Sequence, residues 1–275
     1  MFSVKNKTII VTGASGVIGS AVSEALAEKG AQMVLLGRNE KKLQETFGKI
    51  SQTGGNHLQF VCDVLDIDSL ARVREKLFAH VQQIDALINI AGGATPGASA
   101  KSEFLKPDTP FEDSFFGIDD QAFRTTSDLN FLGSVYPIKV FGELMARQKS
   151  GNIINISSMG AIQPLSKSPA YSAGKAAITN FTQWLAVHLS KVNVRVNAIA
   201  PGFILTEQNR FLLFDEKTGE LTPRGKRIVD RTPQGKLGNP EDLISTILWL
   251  LSDYSSFITG AIIPVDGGFS AYNGI

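Results

Sequence analysis

The chain has 275 residues, 43% of them hydrophobic, a formal net charge of +1 and one cysteine, Cys62. A chain of this length buries about three quarters of its unfolded surface, so it folds without a disulfide, and a single cysteine excludes an internal one. Basic and acidic residues are interspersed along the sequence, which argues against a nucleic-acid partner or a membrane surface.

The opening MFSVKNKTIIVTGASG runs directly into a strand pattern and a glycine turn, without the apolar stretch and cleavage site of a signal peptide. No apolar run is long enough to span a bilayer. The expected location is the cytoplasm, and no metal site is expected.

Strand patterns at 7–11, 32–36, 58–62, 86–90, 152–156, 194–199 and 261–265 alternate with helical patterns at 20–29, 40–50, 67–81, 123–147, 171–190 and 241–252. This alternation predicts the α/β class: one doubly wound Rossmann-type domain over residues 1–275, its parallel sheet flanked by helices on both faces. Ligands then belong beyond the C-terminal ends of the strands. Two stretches interrupt the rhythm there, an insertion at 93–120 with three prolines and four phenylalanines, and a loop at 201–240. Long irregular segments of this kind serve as lids or binding loops.

Between the first strand and first helix lies Thr12-Gly13-Ala14-Ser15-Gly16-Val17-Ile18-Gly19. Glycines here allow a tight turn and close approach of backbone to a pyrophosphate, whose charge is favoured at a helix N-terminus. The second strand ends Leu36-Gly37-Arg38-Asn39, where an NAD-binding chain usually carries an acid. Arg38 suits a 2′-phosphate instead, which favours NADP(H) and leaves NAD(H) possible. Cys62, within FVCDV, reads as a small core residue.

Tyr171 and Lys175 stand four apart on a predicted helix and share a face. A cation about 4 Å from a phenol is worth roughly 4 kcal/mol at an effective dielectric near 20. That equals about 3 pKa units and brings a tyrosine within reach of neutral pH. Such a phenol can exchange a proton with a carbonyl or an alcohol. Ser158, just past the fifth strand, could hold the substrate oxygen beside it, with Ser157 the competing hydroxyl.

With these residues in this order, the sequence resembles the short-chain dehydrogenase/reductase family over essentially its whole length. The resemblance rests on the glycine turn, Asp63, Asn89-Ile90-Ala91-Gly92, Asn130, Ser158, Tyr171, Lys175, Pro201-Gly202, Thr206 and Asp266-Gly267-Gly268. It implies an adenine contact at Asp63 and Val64, and a cofactor wall from Asn89, Ala91 and Gly92. Pro201, Gly202, Ile204 and Thr206 would pass the nicotinamide. Tyr171 would be the acid/base, Ser158 the carbonyl-orienting group and Lys175 the ribose ligand that lowers the tyrosine pKa. Asn130 would anchor a proton-relay water, and helices 123–147 and 171–190 would build a homotetramer or homodimer. The family turn is TGxxxGxG, and here Val17 takes the place of its middle glycine.

The insertion, the segment PGFILTEQNRFLLF and the ending PVDGGFSAYNGI resemble a D-mannonate oxidoreductase (fructuronate reductase) subgroup. That implies reversible reduction of D-fructuronate to D-mannonate, in hexuronate catabolism. Gln208, Asn209 and Arg210 are the candidate substrate contacts, with Arg210 either a carboxylate clamp or a solvated loop residue. The other readings are a polyol or gluconate 5-dehydrogenase, a 3-oxoacyl reductase, and a catalytically silent dinucleotide-binding sensor.

Overall fold

Successive residues of a strand face opposite sides of a sheet. In the first strand, β1 (Thr8–Thr12), Ile9 and Val11 enter one core and Ile10 enters another, all fully buried. An uninterrupted apolar run is what a strand covered on both faces requires. The computed structural model describes residues 2–206 and 209–274. Its strands β2 (Gln32–Gly37), β3 (Leu58–Val61), β4 (Ala86–Asn89), β5 (Gly151–Ile156), β6 (Val194–Pro201) and β7 (Ile262–Val265) form one sheet with β1. The order is β3-β2-β1-β4-β5-β6-β7, and every pairing is parallel.

Helices α1 (Val17–Glu28) and α2 (Glu40–Ser51) cover one face through Val22, Leu26, Leu43 and Ile50. Helix α3 (Ile67–Phe78) covers the other through Leu70 and Leu77. Helix α4 (Asp120–Pro137) runs into a widened turn at Ile138–Gly142 and then α5 (Glu143–Gln148). The predicted unbroken helix at 123–147 is therefore corrected. Pro137 lacks the N–H that would continue the ladder, and the chain passes it by opening one turn. Phe141 in that turn is fully buried. Helix α6 (Pro169–Leu189) packs along α4.

The predicted loop at 201–240 also differs, because it contains α7 (Arg210–Leu213) and α8 (Pro223–Arg231). Thr222 caps α8 by accepting the Gly225 N–H at 3.1 Å, with Pro223 in the first turn. The predicted helix at 241–252 is a short turn at Pro240–Leu243 followed by α9 (Ile244–Leu251). No helix among the described residues is long and apolar enough to cross a membrane.

A chain of buried amides fixes the phase of α6 against the sheet. Asn89 donates to Asn155 at 2.9 Å, Asn155 donates to Thr182 at 2.9 Å, and Thr182 donates to the Ile178 carbonyl. This sets which face of α6 looks toward the strand ends.

Candidate active site

Strand order reverses where β1 lies between β2 and β4, which opens a crevice at the C-terminal ends of those strands. A cleft of about 350 Å³ occupies it. From the glycine turn, Gly13, Ser15, Gly16, Val17 and Ile18 line it, and from the end of β2, Arg38 and Asn39. Val64, Ala91, Gly92 and Thr206 complete the expected residues on its wall. Gly13 has φ +66, and a Cβ there would meet the Ala91 backbone nitrogen at 2.7 Å. The turn is thus pressed against the β4 end by backbone alone.

The site fits a dinucleotide diphosphate. Helices α2, α3 and α4 have their first N–H groups capped by Asn39, Asp66 and Asp119. Helix α1 begins after Gly16, with no side chain capping it. Its leading N–H groups face a cleft where an anion can take the place of a cap. Val17 stands at the first position of α1, in the cleft wall.

Several residues reach the cleft that sequence reasoning missed. Gly37, Lys42 and Leu129 line it. Gly37 is required by the close approach of Ser15, whose hydroxyl a Cβ there would meet at 2.8 Å. Cys62, read as core, is buried and also reaches the wall. Burial pushes its thiol up to about 12, so it carries no thiolate chemistry at neutral pH.

Asp63 and Asn89 are not among the residues lining this cleft. Asp63 turns one oxygen to the Leu65 N–H at 2.9 Å and the other to Arg38 at 3.4 Å. Asn89 lies behind the wall in the amide chain, and its own side-chain oxygen is buried without a hydrogen-bond partner. Beyond β6, Gly202 and Ile204 line a second cleft of about 370 Å³ with Phe203. Pro201 closes β6 and is buried.

Past β5, the two candidate serines separate. Ser157 faces α6, 2.5 Å from the Thr179 hydroxyl and 3.3 Å from the Lys175 carbonyl. Ser158 faces the Tyr171 phenol and also accepts the Gly160 N–H at 3.0 Å. The structure thus resolves the pair in favour of Ser158 as the hydroxyl beside the tyrosine.

Tyr171 is half-buried near the start of α6. Lys175 is buried, and its ammonium donates to the Ile156 carbonyl at 2.7 Å, 5.8 Å from the Tyr171 ring centroid. The expected lowering of the tyrosine is therefore corrected. Burial pushes the phenol above its ordinary value, and the Ser158 hydrogen bond draws it back only in part. Burial also pulls Lys175 down to about 8.

Asn130, fully buried in α4, clasps Gly93 by accepting its N–H at 3.2 Å and donating to its carbonyl at 2.6 Å. A Cβ on Gly92 would meet Asn130 at 2.9 Å and Lys175 at 3.1 Å. Cleft, amide and ammonium therefore converge on Gly92.

Among the substrate candidates, Gln208 lies outside the described residues. Asn209 is corrected from substrate contact to turn former. Its amide accepts the Thr206 N–H and donates to the Ile204 carbonyl, both at 2.8 Å. Arg210 is exposed, with its guanidinium over the Phe214 ring at 5.2 Å.

A family model described as Enoyl-(Acyl carrier protein) reductase matches residues 13–270. An uncharacterized oxidoreductase of Bacillus subtilis, UxuB, is 44% identical over 98% of this chain and 96% of its own length. An uncharacterized oxidoreductase of Haemophilus influenzae is 43% identical over 99% of this chain and 96% of its own. A solved Haemophilus structure with bound NAD, provisionally assigned as a D-mannonate oxidoreductase, superposes with a TM-score of 0.93 at 43% identity. It covers 99% of this chain and 98% of that one.

Proposed function

The chain belongs to the short-chain dehydrogenase/reductase family, an oxidoreductase that uses a nicotinamide cofactor, and from that premise we propose that it interconverts D-fructuronate and D-mannonate. The observation that carries the chemistry is the Ser158 hydroxyl facing the Tyr171 phenol, with Lys175 one turn further along α6. The substrate is carried by likeness to the solved Haemophilus protein.

When bound, the nicotinamide supplies or accepts the hydride. Gly13 to Ile18, Val64, Ala91, Gly92 and Thr206 would hold the dinucleotide. Ser158 orients the substrate oxygen, and Tyr171 donates a proton to it as the carbonyl is reduced. Lys175 holds the nicotinamide ribose and feeds protons toward Tyr171, and Asn130 fixes the Gly92–Gly93 wall beside it. We further place the enzyme in the cytoplasm as a homotetramer or homodimer. Trp184 and Val187 support the oligomer, since α6 leaves them 58% and 77% exposed, whereas Ile138, Val140 and Leu185 are used in the chain's own core.

The test follows loss of reduced-nicotinamide absorbance with D-fructuronate and with neutral ketoses. Turnover confined to fructuronate is the expected result, and its absence with either cofactor removes the substrate. The same assay decides the 2′-phosphate. The Arg38–Asp63 pair is exposed and so worth about 0–1 kcal/mol, which leaves the guanidinium free to turn to a phosphate. NADPH is expected to outperform NADH, and Arg38→Ala to raise the KM for NADPH by about tenfold, the loss of one charge-assisted contact. Faster turnover with NADH, unchanged by Arg38→Ala, would leave Arg38 as a partner of Asp63 alone.

A further inference from the structure

The substrate's carboxylate needs a cation; the sequence offers Arg210 as a clamp or a solvated loop residue, and the structure has it exposed over Phe214. A different group of cations meets the reaction end of the molecule. Arg224, Arg227 and Arg231 stand three and four apart on α8 and therefore share a face. All three line a cleft of about 380 Å³, with Lys167 across from them.

Among the described residues that line this cleft, one anion, Glu103, answers the group. Glu103 pairs with Arg227 at 3.0 Å, and its carboxyl is held low by that arginine, with Ser166 and Lys167 adding to it. Among the described residues, Arg224 and Arg231 have no hydrogen-bond or ion-pair partner. The arrangement is unfavourable for the helix by itself. Like charges at these spacings repel, and Arg224 lies in the first turn, where the helix dipole disfavours a cation. A bound anion reverses both effects.

The opposite wall belongs to the candidate active site. Gln163 to Ser168, in the loop from Ser158 to α6, line the cleft. The Leu165 N–H donates to the hydroxyl of Ser172, the neighbour of Tyr171, at 3.0 Å. Phe203 and Phe269, edge to face with centroids 5.3 Å apart, give an apolar side, and Phe203 follows Gly202 at the end of β6. The cleft is thus cationic on α8, and its far wall is the loop that joins Ser158 to the helix carrying Tyr171.

We propose that Arg224 and Arg231, with Arg227, bind the carboxylate of an acidic substrate whose carbonyl lies at Tyr171, and so select sugar acids over neutral sugars. This deepens the proposed function and rests on it for the identity of the acid. A guanidinium grips a carboxylate in a two-point fork, which orients the far end of a short carbon chain as well as holding it.

The test is calorimetric titration of D-mannonate, and of neutral D-mannitol, into the NADPH-saturated protein, a pairing of alcohol with reduced cofactor that cannot turn over. The double variant Arg224→Ala/Arg231→Ala is expected to weaken mannonate by tenfold or more and to erase its preference over mannitol. Arg224→Lys/Arg231→Lys, which keeps charge and loses the fork, should fall between. Mannonate affinity in the Ala variant within twofold of wild type overturns the assignment, even if fructuronate is turned over. So does a wild type that does not bind mannonate. Binding that depends on the arginines in a protein inert toward fructuronate supports the anion cleft and removes the proposed substrate.

Discussion

Tyr171→Phe is expected to lower kcat by about 10³-fold, the middle of the range for a positioned general acid or base, while cofactor affinity stays within a few-fold. The substitution removes one oxygen and keeps the ring that packs against α6's surroundings. The hydroxyl faces Ser158, where the substrate oxygen is proposed to sit, so its loss removes the proton donor from that point. Direction matters as well. Burial holds the phenol above its ordinary value, so it stays protonated through the neutral range, which is the form that carbonyl reduction needs. Alcohol oxidation needs the phenolate and should rise about tenfold per pH unit until the phenol titrates. Steady-state rates in both directions, with cofactor binding by fluorescence, check this. A variant retaining a tenth of the rate, or the same alkaline rise in oxidation without the hydroxyl, would show that another group moves the proton.

How much of this could be read from the sequence depends on whether a feature is local. The strands were legible because Ile9, Val11 and their counterparts are apolar runs bounded by turns, and both sheet faces are covered. Tyr171 and Lys175 were legible as helix neighbours, but the rotamer that sends the ammonium to the Ile156 carbonyl is set by β5, not by spacing. The same holds for Ser157 and Ser158. Adjacent residues leaving a strand face opposite ways, and only the packing of α6 tells which one meets the tyrosine. Arg210 was placed by its nearness to Thr206 in sequence. Asn209 closes a turn between them, and the arginine leaves over Phe214. Helix α8 was missed within the predicted loop because it buries only Gly225 and Ile228, too few apolar positions to show a period. Its three arginines therefore read as loop charges until the fold set them against the loop that follows Ser158.

Lys175→Met separates what the ammonium does in the reaction from what it does to the fold. Turnover should fall by about 10²-fold or more, since the variant loses the group proposed to hold the ribose and feed protons to Tyr171. Stability should move the other way with pH. In the folded chain burial pulls Lys175 down to about 8, from an unfolded value near 10.5. Below about pH 8 both states carry the proton, and the wild type bears the full cost of a buried charge. Between about 8 and 10.5 the unfolded chain binds more protons than the folded one, so wild-type stability from this group rises with pH. The shift is about 2.5 units, or about 3 kcal/mol. Met has no such titration. The loss of the bond to the Ile156 carbonyl is a constant offset that does not depend on pH. The stability of Lys175→Met relative to wild type should therefore fall by about 3 kcal/mol from pH 7 to pH 10.5. Denaturant titrations of both proteins at the two pH values measure it. A difference that does not change with pH would mean that the ammonium finds solvent in the folded protein. Its charge would then be available to Tyr171 at every pH where the enzyme is stable.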